Sequence, residues 1–203
     1  MRRLGFLLLF IALAFLLLTS LLKAEDILMV DDFNDQEKPN NLKGDYGSWE
    51  TFPQDDTQGC FESVVGSQRG PCLQLDYDVD SSSQEEAYNG FWTKLMYEDI
   101  SKYKYLIFWV RGDADRGFTT EFYVELWNKK RENMRYKIIG LTDTWQEIKL
   151  NFDDFETRTE KPVDLTEMEE FVIVFDDETA TVKEGRIYID DIYFGAAQDA
   201  MPL

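Results

Sequence analysis

The stretch GRIYIDDIYFG, Gly185 to Gly195, carries its apolar residues on odd positions at Ile187 and Ile189 and on even positions at Ile192 and Phe194. In a regular strand, residues of opposite parity point to opposite faces. One extra residue at Asp190 and Asp191 would return all four to a single buried face, so the reading predicts a β-bulge there. Asp-Asp pairs recur at 31/32, 55/56, 153/154 and 176/177, so it is the apolar setting that singles this one out. A carboxylate at the edge of a core needs a cation, a hydrogen-bond donor or a proton.

Outward from this stretch, aromatic and β-branched runs alternate with turn-forming clusters, and no helical period is sustained. The pattern predicts strands at 27–31, 47–52, 60–65, 72–79, 88–96, 103–112, 120–128, 134–140, 145–151, 169–175 and 186–194. Their number and spacing point to an all-β, two-sheet β-sandwich or jelly roll. NDQEKPNNLKGDYG, DVDSSSQEE and ETRTEKPVDLTEM read as polar connections, the last with room for a helical turn. Residues 196–203 read as a flexible tail.

Residues 1–24 are set apart from this fold. Arg2 and Arg3 precede nineteen uncharged residues, Leu4 to Leu22, and Lys23-Ala24 leads into acidic sequence. This is an export signal, and two outcomes are open: cleavage after Ala24, or retention as a membrane anchor. In either case the arginines stay inside and the rest of the chain is extracytoplasmic, periplasmic or secreted. Residues 25–195 suit one domain. The chain has a net charge of −19, and without Arg2, Arg3 and Lys23 it has 18 basic against 40 acidic residues, a net of −22. Such a domain repels nucleic acid. With no histidine and two cysteines, His-based triads and His- or Cys-rich zinc sites are excluded.

Cys60 and Cys72 flank FESVVGSQRGP, a strand, a turn and the start of another strand. In an exported protein the expectation is a disulfide between them, the alternative being two buried free thiols.

Strand alternation sorts the aromatic residues. Phe122, Val124 and Leu126 form an apolar face, leaving Tyr123, Glu125 and Trp127 together. Phe91, Thr93 and Leu95 separate from Trp92 and Lys94, and Leu106, Phe108 and Val110 from Ile107, Trp109 and Arg111. A face mixing flat rings with planar polar groups has the chemistry of sugar recognition. The other reading is a second apolar layer under loops, with long cations snorkelling over it. The basic run NKKRENMRYK reads as a solvated hairpin tip, or alternatively as a segment reaching over the cleft toward an acidic sugar.

MVDDFND, NNLKGDYGSW, GFWTKL, YLIFWVRGD, FYVELWN, TWQEIKLNFDDF and GRIYIDDIYF follow one another in the order found in family 11 carbohydrate-binding modules. The chain resembles those modules over nearly all of its exported part. It also resembles the complex I intermediate-associated protein group, which has the same galactose-binding-like jelly roll. The resemblance implies a glycan cleft on one concave sheet, and Trp92, Tyr123, Glu125 and Trp127, with Arg135 or Tyr136, fall on the corresponding strands. Which parity of strand 134–140 faces the cleft stays open.

The resemblance also implies a structural calcium near the first and last strands. Asp31 and Asp32 match the opening Asp-Asp-Phe, Asp190 the final aspartate, and Asn34 stands where glutamate is frequent. Calcium takes such oxygen donors in loose geometry; the alternative is a hydrogen-bonded set of aspartates without metal.

The function expected is therefore a non-catalytic module binding a polysaccharide or cell-surface glycan. Two rivals remain: an envelope assembly or scaffold protein binding a protein partner through the same jelly roll, and a glycan-cleaving enzyme. The last needs two carboxylates about 5 to 9.5 Å apart, a spacing sequence cannot measure.

Overall fold

The computed structural model describes residues 27–51, 57–81, 87–157 and 161–196. The signal or anchor read at 1–24 lies outside them, as does the tail beyond Ala196. Among the described residues twelve strands run in chain order: β1 (Leu28–Asp31), β2 (Tyr46–Glu50), β3 (Gly59–Ser67), β4 (Gly70–Asp78), β5 (Tyr88–Glu98), β6 (Tyr105–Gly112), β7 (Glu121–Asn128), β8 (Asn133–Ile139), β9 (Gln146–Asn151), β10 (Glu156–Thr157), β11 (Met168–Asp176) and β12 (Glu184–Gly195). All eleven predicted strands are present. The additions are the two-residue β10 and a single 3-10 turn at Phe152–Asp154.

The strands form two antiparallel sheets. The first has the order β3-β4-β12-β6-β9, with β1 also on β12; the second has the order β10-β8-β7-β11-β5-β2. Together they make the two-sheet jelly-roll sandwich that the strand pattern called for. The core lies between the sheets, with Phe108 against Phe171 at 6.1 Å between ring centroids and Tyr77 stacked on Phe175 at 4.2 Å. Leu106, Phe108, Val110, Phe122, Val124, Leu126, Phe91 and Leu95 are all buried there, on the faces that alternation assigned to them.

The bulge in β12 is real. Asp190 pairs with Trp109 and Tyr193 with Ile107, so β12 advances three residues where β6 advances two. Asp191 takes up the extra residue at φ 48°. Ile187, Ile189, Ile192 and Phe194 consequently all point into the core, each 0% exposed. The bulge also sits where β12 changes neighbour. Its first half pairs with β4 as far as Ile189↔Leu73, and its second half pairs with β1 from Ile192↔Asp31.

The expected disulfide is overturned. Both cysteines are buried and free. Cys60 lies opposite Tyr77 and Cys72 opposite Val65, five positions apart along the β3–β4 ladder, or about 17 Å at the strand rise. Cys60 points into the core beside Leu75 and Tyr77, whereas Cys72 alternates with core residue Leu73 and points out. A disulfide requires Cα atoms within about 7 Å. The loop between two cysteines reads the same in sequence whether they meet or not; the hairpin register is what keeps these apart.

Candidate glycan-binding groove

The outer face of the second sheet is set by the register of five strands. One row across it reads Gly47, Trp92, Val172, Glu125, Arg135. The next reads Trp49, Gly90, Val174, Tyr123, Lys137. On the other side, Lys94, Glu170, Trp127 and Asn133 follow. Trp49, Trp92, Lys94, Tyr123, Glu125, Trp127, Arg135, Glu170, Val172 and Val174 of these rows line a groove of about 830 Å³. Trp92, Tyr123, Glu125, Trp127 and Arg135 are thus brought together as the alternation and the resemblance expected.

Tyr136 is not among them. It pairs with Val124, faces the core and packs on the Phe155 ring at 5.6 Å. Arg135 is the member of that strand pair on the groove side, which resolves the parity left open in the sequence.

Glu125 is 6% exposed at the groove floor. One of its oxygens accepts hydrogen bonds from Trp127 Nε1 at 2.8 Å and Asn133 Nδ2 at 3.2 Å. These bonds fix both the carboxylate and the indole plane, since a buried carboxylate persists only when its oxygens are engaged. Arg131 lies over the Trp127 ring at 4.7 Å, Arg135 over Tyr123 at 4.6 Å, and Lys94 Nζ over Trp92 at 5.6 Å. Lys94 and Arg131 share the carboxylates of Glu169 and Glu170. Burial alone would pull the Lys94 ammonium down, but its hydrogen bonds and ion pairs with Glu170 and Glu169 outweigh this and raise it. Part of the basic run therefore does border the groove, through Arg131 and Arg135, while Lys129 and Lys130 pair outside it with Glu167 and Asp164.

Sequence reasoning missed Trp49, Val172 and Val174, which also line the groove. The two valines read as one more apolar strand. Trp49 had a visible signal: Gly47-Ser48-Trp49 repeats the Gly-x-Trp of Gly90-Phe91-Trp92.

The residues read as calcium ligands do not gather into one cluster. Asp31, 2% exposed, accepts the Phe33 N–H at 2.9 Å, and Asp32 accepts the Asn34 N–H at 3.2 Å. Asp190 accepts the Asp191 N–H at 2.9 Å and lies 3.4 Å from Arg69 Nε; Asp191 binds Arg69 Nη2 at 2.6 Å. Among the described residues no three acidic, cysteine or histidine side chains gather as metal ligands. Burial pushes both the Asp31 and Asp190 carboxyls up to about 7, with repulsion from Asp191 adding to the rise at Asp190 and the Phe33 N–H opposing it at Asp31. The cation beside the β12 aspartates is Arg69, from the β3–β4 turn, stacked 4.0 Å over the Trp109 ring. Further along the same outer face, Arg111 stacks 4.0 Å over Tyr188, Tyr188 donates its hydroxyl to Asp113 at 2.8 Å, and Arg186 pairs with Asp76 at 2.7 Å. Arg69 and Arg186 are paired with the aspartates of this face, and the groove described above lies on the second sheet.

Comparison with solved structures identifies the architecture. A family 11 carbohydrate-binding module of a cellulosomal cellulase of Clostridium thermocellum superposes with a TM-score of 0.62 at 19% identity, over 89% of this chain and 100% of that one. The fold is that of a family 11 carbohydrate-binding module. The Clostridium thermocellum module in complex with a β-1,3-1,4-mixed-linked tetrasaccharide superposes with a TM-score of 0.65 at 19% identity, covering 88% of this chain and 100% of that chain. A family 30 carbohydrate-binding module of another cellulosomal cellulase of the same organism gives 0.55 at 16% identity, over 85% and 99%. No family model and no curated protein sequence matches the chain.

Proposed function

We propose that this protein is a non-catalytic carbohydrate-binding module that holds a polysaccharide in the groove on the outer face of the second sheet. The observation that carries the reading is the groove itself: five aromatic rings, Trp49, Tyr88, Trp92, Tyr123 and Trp127, from three strands of one open sheet face, interleaved with carboxylate, guanidinium and ammonium groups. Sugars present both kinds of surface. The C–H faces of a pyranose lose water against Trp and Tyr rings, and its hydroxyls exchange hydrogen bonds with planar polar side chains. Each well-made hydrogen bond adds about 1 kcal/mol net.

Binding without turnover needs only that these groups be held in place. Glu125 is fixed by Trp127 and Asn133, and Lys94 and Arg131 by Glu169 and Glu170. The fold shared with family 11 modules, one of them solved with a mixed-linked tetrasaccharide, supports the same reading. The apolar N-terminal segment supports an extracytoplasmic place of action, where polysaccharides are met.

Affinity electrophoresis of residues 25–203 through gels containing neutral or acidic polysaccharides tests the proposal. Retardation in at least one gel is expected. Equal mobility in all of them overturns it and favours the protein-scaffold role.

A further inference from the structure

Among the described residues the sandwich has four sheet edges, and three of them are bridged or capped. Ser48 on β2 donates its backbone N–H to Glu62 on β3 at 3.0 Å, and Lys38, paired with Glu62 at 3.5 Å, donates to the Tyr46 carbonyl, so side chains bridge the β2 and β3 edges. On the other side, β10 caps the first part of β8 through Glu156↔Arg135 and Thr157↔Met134. β9 is the remaining edge of the first sheet and has no partner strand on its outer side among the described residues. It pairs with β6 in unbroken register from Tyr105↔Asn151 to Val110↔Gln146, with no glycine, proline or bulge. A flat, regular edge of this kind presents a row of backbone donors and acceptors to another strand.

The side chains of β9 match a second copy of the same strand. Ile148 and Leu150 stand opposite Phe108 and Leu106 and face the core, whereas Glu147 and Lys149 point outward and are exposed. Antiparallel self-pairing centred on Ile148 sets Glu147 opposite the partner's Lys149 and Lys149 opposite the partner's Glu147, two cross-strand pairs of opposite charge on one face. Ile148 then meets its own copy on the other face. Centring on Glu147 or on Lys149 instead sets like charges against each other, and centring between two residues turns charged side chains onto the apolar face. The strand therefore specifies one register with itself. Ile139, 67% exposed at the end of β8, borders a slot of about 190 Å³ between β8 and β9 and adds apolar surface beside the same edge.

We propose that β9 is a self-pairing edge through which two copies of this chain join their first sheets, antiparallel and in the register centred on Ile148. The contact is isologous, the same patch meeting itself. Its two-fold axis stands perpendicular to the joined sheet, so both second sheets lie on one side of it and both grooves open to that side. On the carbohydrate-binding reading, a polymer held by one copy lies within reach of the other groove, which raises avidity with no added sugar contact. The dimer itself is independent of that reading.

The test is sedimentation velocity on residues 25–203, which contain every strand described above and the core between them, at up to about 1 mM chain, a range that reaches weak association. The wild type is expected to form a dimer whose share grows with concentration. Glu147→Lys and Lys149→Glu alter exposed side chains and should leave the melting temperature unchanged, while each sets like charges across the pair. Each alone is expected to weaken self-association tenfold or more. Mixed in equal amounts, the two variants carry opposite charges at both contacts, and a mixed dimer of near wild-type strength is expected. The double variant Glu147→Lys, Lys149→Glu keeps one charge of each sign and should dimerise as the wild type does, so it reports on the pairing even where a single variant melts early. A wild type that stays monomeric throughout overturns the proposal. A dimer indifferent to both single variants overturns β9 as its site, and failure of the mixture or of the double variant to recover overturns the antiparallel register.

Discussion

Arg69 lies 4.0 Å over the face of Trp109 while its guanidinium reaches the carboxylates of Asp190 and Asp191. A turn residue thereby clamps the bulge of the C-terminal strand from outside the sheet. Planar stacking with simultaneous carboxylate binding is a combination lysine does not reproduce.

Arg69→Met should therefore destabilise the domain. Removing one partner of a buried ion pair costs about 3–5 kcal/mol, and the partial exposure here brings the expectation to about 2 kcal/mol, a fall of roughly 4–8 °C in Tm for a domain of this size. Calcium and chelator at matched ionic strength should give the same wild-type Tm. A calcium-dependent rise in thermal melts would show that the aspartates hold a metal after all.

Glu125 couples the groove to the sheet beneath it. Glu125→Ala leaves the Trp127 indole N–H and the Asn133 amide without their acceptor, at a cost of about 1–3 kcal/mol, and should also weaken polysaccharide retardation. Glu125→Gln keeps an acceptor oxygen and should preserve most of the stability. Equal stability of the alanine variant in denaturant titrations would contradict this.

The two thiols should be free and unreactive in the native protein. Burial raises the pKa of both, and for Cys72 this outweighs the opposing effects of Ser67 and Arg111. Since the thiolate is the nucleophile, alkylation in native buffer should be slow and alkylation in denaturant should reach both cysteines. Reductant should leave Tm unchanged. A Cys60–Cys72 cross-linked peptide in non-reduced digests would refute the register described above.

Acid should weaken the contacts that Asp113 makes on the outer face of the first sheet. Burial would raise the Asp113 carboxyl, but the Tyr188 hydroxyl, the N–H groups of Arg116 and Asp115, and the Arg186 charge hold it below the ordinary carboxylate range. The folded state thus binds its proton less readily than the unfolded chain. Its contribution to stability is present above the unfolded pKa near 4 and is lost as pH falls through the lower folded value. Asp113→Asn should flatten that part of the stability profile, and an unchanged acid limb in the variant would count against it.

What was legible in the sequence followed from periodicity. The parity change between Ile189 and Ile192 located the bulge, and alternation in β5 and β7 separated the groove residues from the core. Relations between distant segments were not legible. Arg69 sits in the turn SQRG, and only the sandwich brings it to Asp190. The cysteines differ from a bonded pair only in register. Trp49 could have been found by asking why two strands each keep a glycine two residues before a tryptophan, a pattern that gains meaning once the strands are known to be adjacent.

The bulged strand also dictates when the domain can close. β12 holds β1, β4 and β6 together, yet among the described residues it is the last strand in the chain and it pairs with the first. Until its residues emerge, the other strands of that sheet lack their common partner and the core face of the second sheet has nothing complete to rest on. Pairing over such a long sequence separation is slow, so the closing of this sheet waits on the slowest contact it makes.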